Sequence, residues 1–290
     1  MKHIIDQLDT SINTFFDRLQ KVWEGSLSRA VIGYLLVFTF VLSLLVIELN
    51  RIGLLPRPLS SLIPTNHFYS ISLVFSLLLI IEVISLVFSL VHSVANSVGK
   101  QMEILSLILL RQSFKEFIYF SEPIHWEGLN EPVYHILSDA VGGLLIFIVL
   151  GFYYRLQHHV SIARDEEDKR RFITAKKLVA LLLLGTFTLV GILALYESLA
   201  GSYRIEFFPV FYTILIFSDI LIVLISMRYS ARYCILFRNS GFALTTVVIR
   251  LALTAPAYVN VVLGLAAALF ALSLTMAYNT FVPVLEKKGK

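Results

Sequence analysis

Five long apolar runs constrain this chain more than any other feature of its sequence. Each run reaches or approaches the ~20 residues that an α-helix needs to cross about 30 Å of hydrocarbon. Within each run the apolar residues are continuous and do not alternate with polar ones, so the pattern does not predict a transmembrane β-barrel. We therefore predict an all-α fold, a polytopic transmembrane helix bundle. The runs are residues 30–49, 68–91, 178–196, 207–227 and 257–277.

The overall composition agrees with a membrane protein. Hydrophobic residues make up 57% of the chain and charged residues 15%, whereas soluble domains have roughly 45–50% and about 25%. The lipid bilayer is therefore the first predicted partner. The single cysteine, Cys234, cannot form an internal disulfide.

Residues 1–28 predict an amphipathic helix before the first span. Apolar residues recur at helical spacing from Ile4 to Trp23. Four acidic residues interrupt the segment and no compact apolar core precedes a cleavage site, so we expect no cleaved signal peptide. Such a helix either lies at the membrane interface or packs on the rest of the protein.

Two charged segments indicate which loops lie on which side of the membrane. Residues 155–177 contain seven Lys and Arg residues, whereas residues 121–132 contain three glutamates and neither Lys nor Arg. Basic residues concentrate on the cytoplasmic side of membrane proteins. We therefore predict a charged cytoplasmic loop at residues 156–176 and an external loop at residues 121–132. We expect the protein to be located in the cell membrane.

Two further segments, residues 98–120 and 239–255, decide the number of crossings. Each is largely apolar but contains charged residues, so each either crosses the bilayer or lies on its surface. If both cross, eight spans place both termini and most basic residues in the cytoplasm. If neither crosses, six spans expose either the basic loop or both basic termini outside, which the positive-inside rule disfavours. We therefore predict eight membrane segments.

The eight segments divide into two similar sets of four. We predict two tandem four-helix halves, residues 29–155 and 177–283, followed by a basic cytoplasmic tail, residues 284–290. Four is an even number of crossings, so such halves share orientation about an axis along the membrane normal. Chance alignment of helices built from few residue types is the alternative. The matching features, in chain order, are a terminal glutamate (Glu48, Glu197), an acid within the second helix (Glu82, Asp219), an arginine within the third (Arg111, Arg250) and a Pro-x-Tyr opening the fourth (Pro132, Pro256).

Ionisable residues within these spans are the candidate functional residues. An arginine at the centre of a bilayer costs at least ~2.5–3.5 kcal/mol unless it finds a partner or water. We therefore expect Arg111 to pair with Glu82 or Asp219, and Arg250 to pair with Asp139. Alternatively, such pairs only specify which helices touch. The candidates for an ion pathway are Glu82, Arg111, Asp139, Asp219, Arg250 and His135.

His135 precedes Asp139 by one helical turn on the same face of the fourth predicted span. This spacing allows a hydrogen bond or a proton relay between the two side chains. The alternative is a solvated histidine near the outer boundary of the membrane.

Familiar catalytic motifs are absent from the sequence. It has no phosphate-binding glycine loop, no His-Glu-x-x-His and no Gly-x-Ser-x-Gly. We therefore expect neither an enzyme nor a cofactor or metal site. No basic patch interleaved with aromatic residues is present on a soluble domain, so no nucleic-acid partner is expected.

Two functions fit these features. The first is a small transporter or channel-like protein that moves protons or small cations past the buried carboxylates. The alternative is a non-catalytic membrane subunit or scaffold. In that case residues 3–24 and 155–177 would contact other membrane subunits or a second copy of the chain.

Overall fold

A computed structural model describes residues 2–56, 60, 63–91, 94–126, 128, 130–157, 166–199, 207–229 and 233–288. All regular secondary structure within these ranges is helical, which confirms the predicted all-α bundle. A short 3₁₀ helix, Glu116–Tyr119, follows the fourth α-helix. The α-helices are α1 (Lys2–Trp23), α2 (Ser26–Arg51), α3 (Phe68–Ser89), α4 (Val94–Lys115), α5 (Asn130–Leu156), α6 (Glu166–Leu199), α7 (Phe207–Tyr229), α8 (Tyr233–Thr254) and α9 (Val259–Lys288).

Helices α2 to α9 run alternately between two ends of the bundle. At one end, Gln157 donates a hydrogen bond to Asn96 (2.6 Å) and Asn279 donates to the Leu156 carbonyl (2.6 Å). We call this the basic end, because the Lys and Arg residues near the start of α4, at the end of α5 and near the start of α6 lie there. At the opposite end, the Asn66 amide donates to the Phe120 carbonyl (2.7 Å). Both α1 and the end of α9 lie at the basic end.

Seven of the described helices are long and apolar enough to cross a membrane, namely α2, α3 and α5 to α9. The protein is therefore an integral membrane protein. Helix α4 is not among the seven because Lys100, Glu103 and Arg111 lie within it.

Helix α4 nevertheless lies inside the bundle. It runs antiparallel to α5 over its full length, from Gly99 beside Tyr154 at the basic end to Ser113, which donates to the Ile136 carbonyl at 3.2 Å. Helix α8 likewise runs beside α9, where Arg238 stacks on the Tyr278 ring. Both segments that the sequence left open are therefore members of an eight-helix bundle and not surface helices.

The central core is formed by α4, α5, α8 and α9. Small residues allow these helices to approach closely, as is common where helices pack within membranes. A Cβ atom at Gly143 of α5 would lie 2.8 Å from the backbone oxygen of Ser106 in α4. The side chains that fill this core include Met102, Ile146, Phe242 and Ala268.

A second core joins α1 to α3, α6 and α7. Phe16 of α1 is fully buried and lies 5.6 Å from the Phe88 ring of α3. Asn13 donates to Thr174 of α6 (2.9 Å), and Lys177 donates to Asp17 (2.7 Å). Of the two alternatives for the N-terminal helix, the structure shows packing on the rest of the protein.

Helix α6 begins at Glu166, so the second part of the predicted loop 156–176 is helical. Acidic residues at its start interact favourably with the helix dipole, and Arg171 pairs with Glu167 one turn away (2.7 Å). These local charges extend the helix beyond the apolar run. Residues 158–165 of that loop lie outside the described residues. The predicted tail also begins within a helix, since α9 reaches Lys288.

Candidate functional site

A buried ion pair joins α7 to α8. The Arg250 Nε atom lies 3.5 Å from the Asp219 Oδ2 atom, and the two side chains are 0% and 4% exposed. Arg250 therefore pairs with Asp219, and the prediction that it pairs with Asp139 is wrong. The reason is that Arg250 lies on the face of α8 that contacts α7, whereas Asp139 of α5 faces α9.

A small chamber with a mainly apolar wall lies beside this pair, between α4, α6, α7 and α8. Its volume is about 30 Å³, and its polar lining consists of Ser97, Gln101, Lys176, Asp219 and Thr246. Such a volume holds roughly one or two water molecules. The chamber lies between mid-bundle, where Asp219 is, and the basic end, where Ser97 and Lys176 are.

Several buried polar atoms around the chamber have no hydrogen-bond partner within the described part of the chain. They are the Gln101 Oε1 atom, the Asp219 Oδ2 atom and the three guanidinium nitrogens of Arg250. Buried polar groups of this kind are normally satisfied by protein or by ordered water. Gln101 and Asp219 line the chamber, which is large enough for water that could satisfy their side chains.

Lys176 supplies a second positive charge to the chamber. Its side chain enters from α6, is only 4% exposed and places its Nζ atom 4.9 Å from the centre of the Phe172 ring. The site thus combines two cationic side chains, Lys176 and Arg250, with the single carboxylate of Asp219. Buried charges of this kind cost insertion energy, which marks them as functional candidates.

The second predicted pair, Arg111 with Glu82, is present and joins α4 to α3. It lies nearer the surface of the bundle, because the Arg111 side chain is 29% exposed. In both pairs the acid lies on the second helix, and the arginine on the third, of one of the predicted halves. The internal repeat itself stays a prediction.

Asp139 and His135 of α5 form a third group, nearer the opposite end. They contact α9 and the 3₁₀ helix. Asp139 accepts a hydrogen bond from Asn260 of α9 (2.9 Å). His135 faces Glu116 (3.4 Å) and packs edge-on against the Tyr258 ring (5.1 Å). The hydrogen bonds of Asp139 and His135 are thus made to other helices, and not to each other as the one-turn spacing suggested.

The six candidate residues therefore separate into two ion pairs, Arg111–Glu82 and Arg250–Asp219, and two residues of α5, His135 and Asp139, that contact other helices. The sequence analysis missed Lys176 and Gln101. Lys176 was assigned to the charged loop, yet it is one turn from Val179 and Ala180, which are buried in the second core. That helical spacing was the available signal for a buried lysine. Among the described residues, no three His, Cys, Asp or Glu side chains come together as a metal site would require.

Comparison of the chain with protein-family models, curated proteins and solved structures gave no match.

Proposed function

We propose that this membrane protein moves protons through the bundle, past Asp219. The observation that supports the proposal most strongly is the buried Asp219–Arg250 pair at the edge of a water-sized chamber. A buried carboxylate in contact with water can take up a proton and release it again.

The geometry favours a proton over a metal cation. The chamber of about 30 Å³ has no room for an ion together with its water shell. Lys176 and Arg250 also repel a metal cation, since they bring two positive charges against one carboxylate. A proton needs only one or two water molecules and a group that changes its protonation state.

The polar groups support one course for the pathway through the bundle. We infer that protons enter the chamber from the basic end past Ser97 and Lys176 and reach Asp219. Beyond it, Tyr212 lies two turns away on the same face of α7, is buried and is close enough to Arg250 to interact with it electrostatically. Asp139 and His135 lie nearer the opposite end, where Asp139 contacts Asn260 and His135 faces Glu116.

We further propose that the basic end faces the cytoplasm of a cell, with both termini there, and that the two four-helix halves arose by duplication. The basic residues at the ends of α4, α5 and α6 support this orientation. Helices α5 and α9 run parallel, as the fourth helices of two such halves would.

Proton flux into proteoliposomes tests the proposal. Purified protein is reconstituted with a pH-sensitive dye inside, and a pH gradient is applied. We expect Asp219→Asn to lower the protein-dependent rate by roughly 10²-fold, because a positioned proton-transfer group typically contributes at least that much. Asp17→Asn makes the same chemical change on the exposed side of α1 and should leave the rate unchanged.

The proposal fails if Asp219→Asn, folded as judged by its elution and helix content, conducts protons at the wild-type rate. It also fails if the wild-type protein gives no flux above empty liposomes. That second result would favour the other candidate, a non-catalytic membrane subunit. The exposed position of α2 favours this candidate, because only 6% of its most apolar segment is buried by the rest of the chain.

A further inference from the structure

A larger cavity opens at the basic end, separate from the chamber beside Asp219. Its volume is about 880 Å³, within the range of small-molecule sites. One side of the opening is formed by Arg29 and Ile32 of α2, and the other by Tyr154 and Gln157 of α5. Helices α3 and α4 form the floor. Because α2 packs mainly against α3 and α5 against α4, the cavity bridges a gap between α2 and α5.

The polar part of this cavity contains two cations, Arg29 and Lys100, and one carboxylate, Glu24, which accepts a hydrogen bond from Gln20 (2.8 Å). Arg29 is exposed at the start of α2, and Lys100 is exposed near the start of α4. Glu103 does not line the cavity, but it contacts Lys100 (2.5 Å) and accepts a hydrogen bond from Tyr154 (2.7 Å). These contacts hold the ammonium group of Lys100 at the cavity wall.

The deeper part of the cavity is apolar and continues along the membrane-facing surface of α4. Ile32, Ile81 and Phe88 line the cavity itself. Beyond Lys100, the exposed residues of α4 are Leu107, Leu110 and Phe114, which follow one another at helical spacing. Cations at the headgroup level above an apolar track match the two parts of a phospholipid.

We propose that this cavity binds an anionic phospholipid, with the phosphate between Arg29 and Lys100 and an acyl chain along α4. Basic pockets between transmembrane helices are known to take anionic headgroups. The acyl chain requires the gap between α2 and α5 to open sideways into the bilayer. Among the described residues, α2 and α5 make at most a slight contact, which allows such an opening. This site does not depend on the proposed proton pathway.

Tryptophan fluorescence can test the site, because Trp23 lines the cavity and Trp126 is 75% exposed at the opposite end. The chain has two tryptophans, so Trp126→Phe leaves Trp23 alone. The protein is reconstituted in phosphatidylcholine vesicles containing increasing fractions of phosphatidylglycerol with brominated acyl chains, which quench a tryptophan on contact. In parallel samples the brominated lipid is phosphatidylcholine. We expect half-maximal quenching at an about tenfold lower fraction of the anionic lipid than of brominated phosphatidylcholine. The reason is that two cations near the headgroup attract the anionic lipid.

Two charge-removing variants distinguish a site from general surface attraction. Arg29→Gln with Lys100→Gln should abolish the preference for the anionic lipid. Arg18→Gln with Lys21→Gln removes the same charge from exposed positions of α1 at the same end, outside the cavity, and should retain it.

Three results would overturn the proposal. The first is equal quenching by the two brominated lipids in the Trp126→Phe protein, which needs no further variant. The second is an equal loss of preference in both double variants. The third is recovery of fluorescence on adding inorganic phosphate, which would show that the cations bind free phosphate and not a lipid.

Discussion

At the scale of single residues, two arginine–carboxylate pairs join neighbouring helices: Arg111 pairs with Glu82, and Arg250 pairs with Asp219. The first pair was among those that the sequence predicted. For Arg250 the sequence predicted Asp139 as the partner. It could not show that Arg250 faces α7, because the face that a helix turns to each neighbour depends on the packing of the whole bundle.

Both arginine pairs should matter for stability. Arg250→Met leaves Asp219 buried without its partner, which typically costs about 3–5 kcal/mol. Arg111→Met should also be costly, because it leaves Glu82, which is itself only 8% exposed, without its partner. Unfolding in mixed detergent micelles measures both values.

A third variant separates the cost of a lost partner from that of lost packing. Asp219→Leu combined with Arg250→Met replaces both charges by apolar side chains and should recover most of the stability lost in Arg250→Met. No loss in Arg250→Met, or no recovery in the double variant, would contradict this account of the buried pair.

At the scale of helices, the sequence predicted which segments form the bundle better than where each helix ends. Helix α4 could be placed inside because the distribution of basic residues required an eighth crossing. The start of α6 was predicted too late, since hydropathy detects the apolar run but not the helix extension that pairs such as Glu167–Arg171 stabilise in water. Lys176 was assigned to the loop for the same reason.

The contact between α4 and α5 offers a test with a control on the same helix. Gly143→Ala would place a methyl group 2.8 Å from the backbone oxygen of Ser106, so the helices must separate. We expect a loss of about 1–3 kcal/mol, the usual cost of overpacking. Gly151→Ala adds the same methyl group to α5 where no atom lies within 4 Å. It should be neutral or stabilise the protein by up to about 1 kcal/mol.

Thermal unfolding in detergent compares the two alanine variants directly. If Gly143→Ala unfolds at the same temperature as Gly151→Ala, the close approach of α4 and α5 described above is incorrect.

At the scale of the whole molecule, the proposed proton pathway depends on the alternating course of the eight helices. Asp219 and Arg250 lie between two ends of the bundle, and a proton pathway requires those ends to lie on opposite sides of a membrane. The sequence predicted the number of segments because basic residues follow a simple rule of sidedness. It did not predict the chamber, which exists only where α4, α6, α7 and α8 meet.

Cysteine labelling tests this arrangement most directly. Cys234→Ser removes the native thiol, and a new cysteine is placed either at Trp126, at the opposite end, or at Arg155, at the basic end. Both positions are exposed. In intact cells, a membrane-impermeant maleimide should label Trp126→Cys and should label Arg155→Cys only after the membrane is permeabilised. Labelling of both positions in intact cells would contradict the eight-helix crossing and, with it, the proton pathway.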